Sequence, residues 1–407
     1  MAIVAVVAEF NPPHNGHGYL ASEIRKKFGE DTAIIAIMSG NFVQRGDVAV
    51  TDKYTRARMA LALGYNLVLE IPCPFSSASA RDYAYSAVSI AHNLGCVDYL
   101  AFGSETGELT SLHEIADCIS DSSFQASLSK MRADPAYAEY SHAQLTTKLL
   151  VSRLGEDAAR LYTTPNNILA VSYLTALKKM ESPILPFTVK RVGSYHDTDL
   201  DENGFASASA LRECLYEGRL RDVAPFVPQE VHELLMQSFE KGLLPANIAN
   251  IGASILVDLV RSAESDVQIL FAESDLSLLH RIYDAAREAG DYASLVELVK
   301  AKHYTHAHVR RAILFAYLKV SPELLHDEVA FTALLAADAL GRRVLKHSKK
   351  TRKIPVLTKV ADYSTTFFGD ARLQSHYNTY CDMVYLQTLP KPLPAANALR
   401  ITPFIQK

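Results

Sequence analysis

IVAVVAEFNPPHNGH, residues 3–17, decides how this chain is read. Residues 3–10, IVAVVAEF, read as a buried strand, since their apolar run lacks the polar alternation of a strand exposed on one face. Pro12 and Pro13 stiffen the strand exit, and a helix begins near Asn15. His14 and His17 then stand one helical turn apart on one face. A turn that only reversed the chain would not need both imidazoles. A helix N-terminus offers unpaired backbone N–H groups and a positive dipole end, which together suit phosphate. Gly16 lets such a group approach without a Cβ in the way, and both histidines can donate to its oxygens.

Working outward, strand-like runs cover 32–40, 66–72, 97–104 and 186–192, each ending near Gly, Pro or Ser. Helical patterns lie between them at 53–65, 80–95 and roughly 137–154, and the second of these stops on Gly95 as a left-handed cap. Another helix follows PNN, with Asn166 or Asn167 as its cap, and residues 206–218 form a further one. Strands alternating with helices predict an α/β fold, a Rossmann-like parallel sheet covered on both faces. In such a sheet ligands sit outside the carboxyl ends of the strands, where the loop 11–17 falls. Beyond residue 219 amphipathic spacing dominates, FTALLAADAL (331–340) included, with short strands expected only around 354–360 and 382–388. Two domains are therefore expected, 1–218 and a mainly helical 219–407.

Hydrophobic residues make up 49% and charged residues 21%, which excludes a disordered or fibrous chain. No apolar run is long enough to span a membrane, and the first residues are interrupted by Glu9 and Asn11, unlike a secretory leader. Five scattered cysteines without a C-x-x-C pair point to a reducing cytoplasm. The net charge of −4 announces no nucleic-acid partner, so any such surface must be local. One stretch fits. Arg342, Arg343, Lys346, Lys349, Lys350, Arg352, Lys353 and Lys359 occur between 341 and 359 without an acid. Alone it reads as a solvated loop; beside a large anionic substrate it reads as an RNA-binding surface that Arg310 and Arg311 extend.

Three other constellations carry chemistry or imitate it. SGNFVQRGD (39–47) places Asn41, Gln44 and Arg45 on a strand-exit loop bordering the same crevice, where a second substrate belongs. HYTHAH (303–308) has helical spacing and no acid, so no metal is assigned to it. YHDTDLDENG (195–204) reads as a solvated acidic loop, with Mg2+ expected to arrive on a nucleotide instead.

HNGH is an H-x-G-H sequence, the motif of the nucleotidylyltransferase superfamily shared with class I aminoacyl-tRNA synthetases. Longer blocks, EFNPPHNGH, MSGNFVQRGDVAVTDKYTRARMAL, FGSE, PNNILA, KRV and YHD, resemble in the same order the bacterial tRNA(Met) cytidine acetate ligase family. The resemblance covers nearly the whole chain. It implies an ATP-binding catalytic domain in 1–218 and a tRNA-binding role for 219–407. Its ATP-binding loop falls on Val7, Ala8, Glu9, Phe10, Asn11, Pro12 and Pro13, and continues through His14, Asn15, Gly16, His17, Gly18, Tyr19 and Leu20. The catalytic pair is His14 and His17, and further nucleotide contacts fall on Gly103, Asn166, Arg191 and Val192. Ser207, Ser209 and Arg212 resemble the second phosphate motif, though Ser209 also reads as a simple N-cap. Pro13 replaces the family's usual aromatic residue and Ala170 its usual glycine; neither removes a chemical group.

The activity so implied is ATP-dependent activation of acetate as acetyl-adenylate, then acetyl transfer to the wobble cytidine of elongator tRNA(Met), giving N(4)-acetylcytidine. H-x-G-H by itself equally fits a small-molecule adenylyltransferase. A non-catalytic RNA-binding protein on a nucleotide fold is a third reading, disfavoured by the intact HNGH, Arg191 and Arg212.

Overall fold

The computed structural model describes residues 1–137, 139–191, 204–263, 270–302, 304–326, 328–362, 365 and 367–406. In chain order it begins β1 (Ile3–Ala8), α1 (Asn15–Phe28), β2 (Ala33–Ser39), β3 (Phe42–Val43), β4 (Asp47–Val48), α2 (Lys53–Ala62), β5 (Leu67–Ile71), α3 (Ala80–Leu94) and β6 (Tyr99–Ser104). Next come α4 (Thr110–Ser120), α5 (Ser122–Ala133), α6 (His142–Leu154), α7 (Glu156–Leu161), α8 (Pro165–Lys179), β7 (Leu185–Lys190) and α9 (Ala208–Tyr216). Helices α10 (Leu220–Val223), α11 (Gln229–Glu240), α12 (Gly252–Ala263), α13 (Leu276–Glu288), α14 (Tyr292–Val299), α15 (His306–Leu318) and α16 (Pro322–His326) follow. The chain closes with β8 (Thr332–Ala337), α17 (Ala339–Ser348), β9 (Val356–Leu357), α18 (Gly369–Tyr385) and β10 (Phe404–Ile405).

The main sheet runs β10-β8-β5-β2-β1-β6-β7, parallel except where β8 meets β5, with β9 sharing the outer edge of β8. β1 lies inside it, pairing Val4 with Ile34 on one side and with Tyr99 on the other. Its side chains explain that place. Ile3 and Ala5 join the core under α3 and α8, while Val4, Val6 and Ala8 join the core under α1, α2 and α9. A strand that must fill two apolar layers has no position left for a polar residue.

Two expectations for the second half need correction. FTALLAADAL is not a helix: residues 332–337 are β8, buried at every position between β5 and the β9/β10 edge. Fully buried strands lose the two-residue alternation that marks strands elsewhere, so an alanine-rich one imitates a helix. Residues 382–385 end helix α18 instead of forming a strand. Strands from both sides of residue 218 thus share one sheet.

The short hairpin β3–β4 stands beyond the carboxyl end of β2. Gly46 at its tip has φ +71°, and a Cβ there would lie 2.5 Å from the Arg311 backbone nitrogen. Only glycine lets the tip press against α15.

Candidate active site

The loop after β1 is built so that its two histidines are fixed side by side at the start of α1 with their protonation settled. Phe10 adopts φ +48° and is fully buried, its ring 4.8 Å from the His17 ring and 5.1 Å from Tyr65. Tyr65 Oη donates to the His17 carbonyl at 3.1 Å. Asn11 is buried, its Oδ1 accepting from the Val50 N–H at 2.9 Å. His14 is the N-cap of α1, and its Nδ1 accepts the Gly16 N–H at 3.1 Å. Reciprocally, the His14 N–H donates to His17 Nδ1 at 3.2 Å. This is a capping box made of imidazoles in place of hydroxyl and carboxylate.

The consequence is chemical. Because each Nδ1 accepts, each neutral ring carries its proton on Nε2. Burial, reinforced by the charges of Arg191 and Arg212, lowers the His14 pKa to about 3. Burial and then the His14 and Arg191 charges hold His17 well below the ordinary range, despite its backbone hydrogen bond. At neutral pH the pair is two uncharged N–H donors, 4.0 Å apart between ring centroids, over the start of a helix.

Cations approach from two sides. Arg212 on α9 donates Nη1 to the Asn11 carbonyl at 2.8 Å and Nη2 to Ser209 Oγ at 2.9 Å. Ser207, not Ser209, caps α9, accepting from the Ala210 N–H at 3.1 Å. Asn15 Nδ2 reaches the Gly204 carbonyl at 2.9 Å, which ties α1 to the segment leading into α9. Arg191 follows β7 and lies over β6: a Cβ on Gly103 would sit 3.1 Å from Arg191 Cγ. The opening at Gly103 is therefore filled by an arginine stem. Val192 lies outside the described residues, as does most of 195–204.

Asn166 occupies the first turn of α8, but neither Asn166 nor Asn167 caps that helix. Glu105, just past β6, does so across space: its carboxylate accepts from the Asn167 N–H at 2.9 Å, Thr164 Oγ1 at 3.1 Å and Asn166 Nδ2 at 2.6 Å. A carboxylate at a helix N-terminus is favoured by the dipole, and here it joins FGSE to PNN.

On the β2 side the floor is held by residues that sequence reading left without roles. Arg56 on α2 is fully buried and gives its donors to carbonyls: Thr51 at 3.0 Å, Glu9 at 2.6 Å, Ser39 at 3.1 Å, and Gly40. It clamps the ends of β1 and β2 together. Beside it, Lys53 Nζ lies 2.6 Å from both Glu70 Oε1 and Asp382 Oδ2. Burial opposes the ammonium, yet Asp382 and Glu70 hold its pKa above the ordinary lysine value. Burial raises both carboxyls, with Lys53 acting against it. Two cations and two carboxylates, Arg56 included, leave the cluster formally neutral. The signal for Lys53 and Arg56 was present in KYTRARMAL: both fall on the buried side of α2 with Ala57 and Ala60.

The three residues of the 39–47 loop separate. Asn41 is buried, its Nδ2 on Asp382 Oδ1 at 2.8 Å and its Oδ1 accepting the Lys53 N–H at 2.8 Å, so it belongs to this cluster. The Gln44 N–H donates to Glu9 Oε1 at 2.9 Å, and Arg45 is exposed. Asp47 nearby has its carboxyl pushed up by burial, against the Val48 N–H, Arg310 and Arg212.

The basic stretch is only partly a loop. Arg342, Arg343 and Lys346 lie exposed on α17, and Lys349, Lys350 and Lys353 are exposed after it, with Arg352 half-buried. Both ends are tied to segments entering strands: Asp338 accepts from Asn66 Nδ2 at 2.8 Å, just before β5, and the Lys353 N–H reaches the Asn93 carbonyl at 2.7 Å, ahead of β6. The stretch therefore lies at the opposite sheet edge from the histidines. Arg311 does not extend it; it is buried and paired with Glu273 at 2.6 Å.

A parallel sheet whose central strand delivers two neutral imidazoles to a helix start defines a nucleotidyl transferase of the H-x-G-H kind, and the model of the family described as HIGH Nucleotidyl Transferase matches residues 1–397. A tRNA(Met) cytidine acetate ligase of Caldanaerobacter subterraneus is 33% identical to the chain over 368 residues, covering 90% of each. That of Lysinibacillus sphaericus is 32% identical and covers 96% of this chain and 98% of its own. Crystal structures of Thermotoga maritima TmcAL, apo and bound with alpha-thio ATP, superpose with TM-scores of 0.90 and 0.89 at 28% identity, covering 100% of this chain and 99% of theirs. The chain belongs to the tRNA(Met) cytidine acetate ligase family.

Proposed function

We propose that this chain is an ATP-dependent ligase that converts acetate to acetyl-adenylate and transfers the acetyl group to the wobble cytidine of elongator tRNA(Met). The observation that carries the reading is the imidazole capping box. It fixes two Nε2–H donors beside a helix N-terminus, with Arg191 supplying positive charge to both and Arg212 to His14. Attack of a carboxylate oxygen on the α-phosphate shifts charge onto phosphate oxygens and the departing pyrophosphate. Preorganised neutral donors and permanent cations stabilise that charge without any side chain becoming a nucleophile.

The triphosphate lies over β1 and the start of α1, with the adenosine toward Gly103 and Asn166, and the acceptor on the β2 side near Gln44 and Arg45. Ser207 and Ser209 flank the outer phosphates. Magnesium is expected to enter on the nucleotide itself, held chiefly by its phosphates. Residues 1–218 carry this chemistry, and the exposed cations from Arg342 to Lys353 in the second half hold the RNA.

Acetate-dependent ATP–pyrophosphate exchange, followed by mass analysis of elongator tRNA(Met), tests the reading. Exchange with acetate and an acetylated cytidine are expected. Exchange that requires a phosphorylated small molecule would assign an adenylyltransferase instead, and no exchange would leave only nucleotide or RNA binding.

A further inference from the structure

Glu9 stands where the two halves of the crevice meet. It is the first residue past β1, between β2 with Ser39 and Gly40 on one side and β6 with Gly103 on the other. Side-chain parity sets its direction. Ile3, Ala5 and Val7 face the layer of α3 and α8, and Glu9 continues that series, whereas Phe10 turns the other way beneath His17. Its charge acts on the buried phenols of Tyr83 on α3 and Tyr173 on α8, adding to the effect of burial. The residue is firmly held. Its carbonyl accepts from Arg56 Nη1 at 2.6 Å, and its Oε1 accepts from the Gln44 N–H at 2.9 Å. Among the described residues Oε2 accepts no hydrogen bond, and the side chain is half-buried.

A carboxylate at this spot hinders the first half of the reaction, because it repels the anionic substrate that must attack ATP. Arg56 behind it offsets part of that repulsion. Such a residue gains a use in the second half, where the acceptor is a neutral amine. We propose that Glu9 is the general base of acyl transfer, receiving on Oε2 the proton that the acceptor amine loses. The amine nitrogen bonds to the acyl carbon, the carbon–oxygen bond to the phosphate breaks, AMP leaves with that electron pair, and the proton passes to Glu9. As the nitrogen bonds to carbon it becomes acidic enough for a carboxylate to take its proton. A carboxylate acceptor also suits the exocyclic amine of a cytosine. This inference rests on the acyl-adenylate reading above.

Glu9→Gln in the full chain keeps the shape and the acceptor for the Gln44 N–H, and removes only the base. Two half-reactions are measured: acetate-dependent ATP–pyrophosphate exchange, and single-turnover acetyl transfer to elongator tRNA(Met). Whatever Glu9→Gln costs exchange through the nucleotide loop, transfer is expected to fall about 30-fold or more beyond that loss, with Glu9→Asp recovering part of the difference. Equal losses in both half-reactions would overturn the proposal in favour of a structural or substrate-holding role, and so would unimpaired transfer. Absence of exchange in the unaltered enzyme overturns both readings, and is told apart because no substitution has yet been made.

Discussion

Gly16→Ala separates the catalytic use of the imidazole box from its use as a helix cap. Gly16 has no positive φ, so its backbone accepts alanine; the obstacle is the His14 ring. A Cβ at residue 16 would lie 2.9 Å from His14 Cε1 and 3.0 Å from Nδ1, closer than such atoms pack. The imidazole must move by several tenths of an ångström, which breaks the 3.1 Å bond from the Gly16 N–H. Losing that cap costs about 1 kcal/mol. Replacing a helical glycine by alanine returns up to about 1 kcal/mol. The two nearly cancel, so the melting temperature should hardly change.

Activity should change greatly. With Nδ1 released, the ring is free to turn or exchange tautomers, and its Nε2–H no longer points at the phosphates. Removing one preorganised donor of this kind lowers turnover by about 10²–10³, equivalent to about 2.7–4 kcal/mol of transition-state stabilisation. Pyrophosphate exchange at saturating ATP reads the effect, and a thermal melt on the same sample reads the fold. Wild-type exchange in a variant that melts normally would refute the reasoning, because a displaced His14 would then be shown not to matter to the chemistry.

The depressed histidine pKa values make a second forecast. Unfolded imidazoles bind protons below about pH 6.5, whereas His14 stays neutral to about pH 3, so stability declines as pH falls through that window. His14 alone should cost about 2 kcal/mol at pH 5 relative to pH 8; denaturant titrations at both pH values check this, and 15N spectra of the nucleotide-free protein should show both rings protonated only at Nε2 at pH 7. Lys53→Met strands two buried carboxylates and should cost about 3–5 kcal/mol, less at low pH where they protonate; a loss below 1 kcal/mol in denaturant titrations would contradict the buried network. Charge reversal at Lys349, Lys350 and Arg352 should weaken tRNA binding and reduce the steepness of its salt dependence by roughly 2–3, while acetate-dependent exchange stays normal; an unchanged affinity would remove the RNA from this surface.

What could be read in advance followed local rules. The apolar run of β1, the proline exit and the His14/His17 spacing are contiguous, so strand, loop and helix start were legible together. Interactions made across the fold were not. Lys53 meets Glu70, 17 positions later, and Asp382, 329 positions later, separations that no spacing rule encodes. For Arg56 helical spacing could show the buried side of α2 but not the partners: these are carbonyls, which every residue has, so no complementary acid appears in the sequence. Glu105 replaced the expected asparagine cap because a carboxylate from the neighbouring strand end reaches the α8 N–H groups. Residues 331–340 misled because full burial on both faces removes alternation.

The sheet also bears on the proposed separation of RNA capture from chemistry. β2 is seven residues long, so its two edges lie roughly 20 Å apart. Screening at physiological salt acts over about 8 Å. The cations of α17, tied to the edge at Asn66 and Asn93, therefore add little to the field at the histidines. That field comes from Arg191 and Arg212, which act on the imidazoles directly. A long polyanion can engage both edges at once, whereas a triphosphate reaches only one. On the proposed RNA surface at α17, a backbone-held RNA must still bring one unstacked base to the end of β1, a step that phosphate charge cannot drive. Affinity for the RNA and rate of acyl transfer should consequently respond to different residues, and a variant impaired at one edge should remain competent at the other.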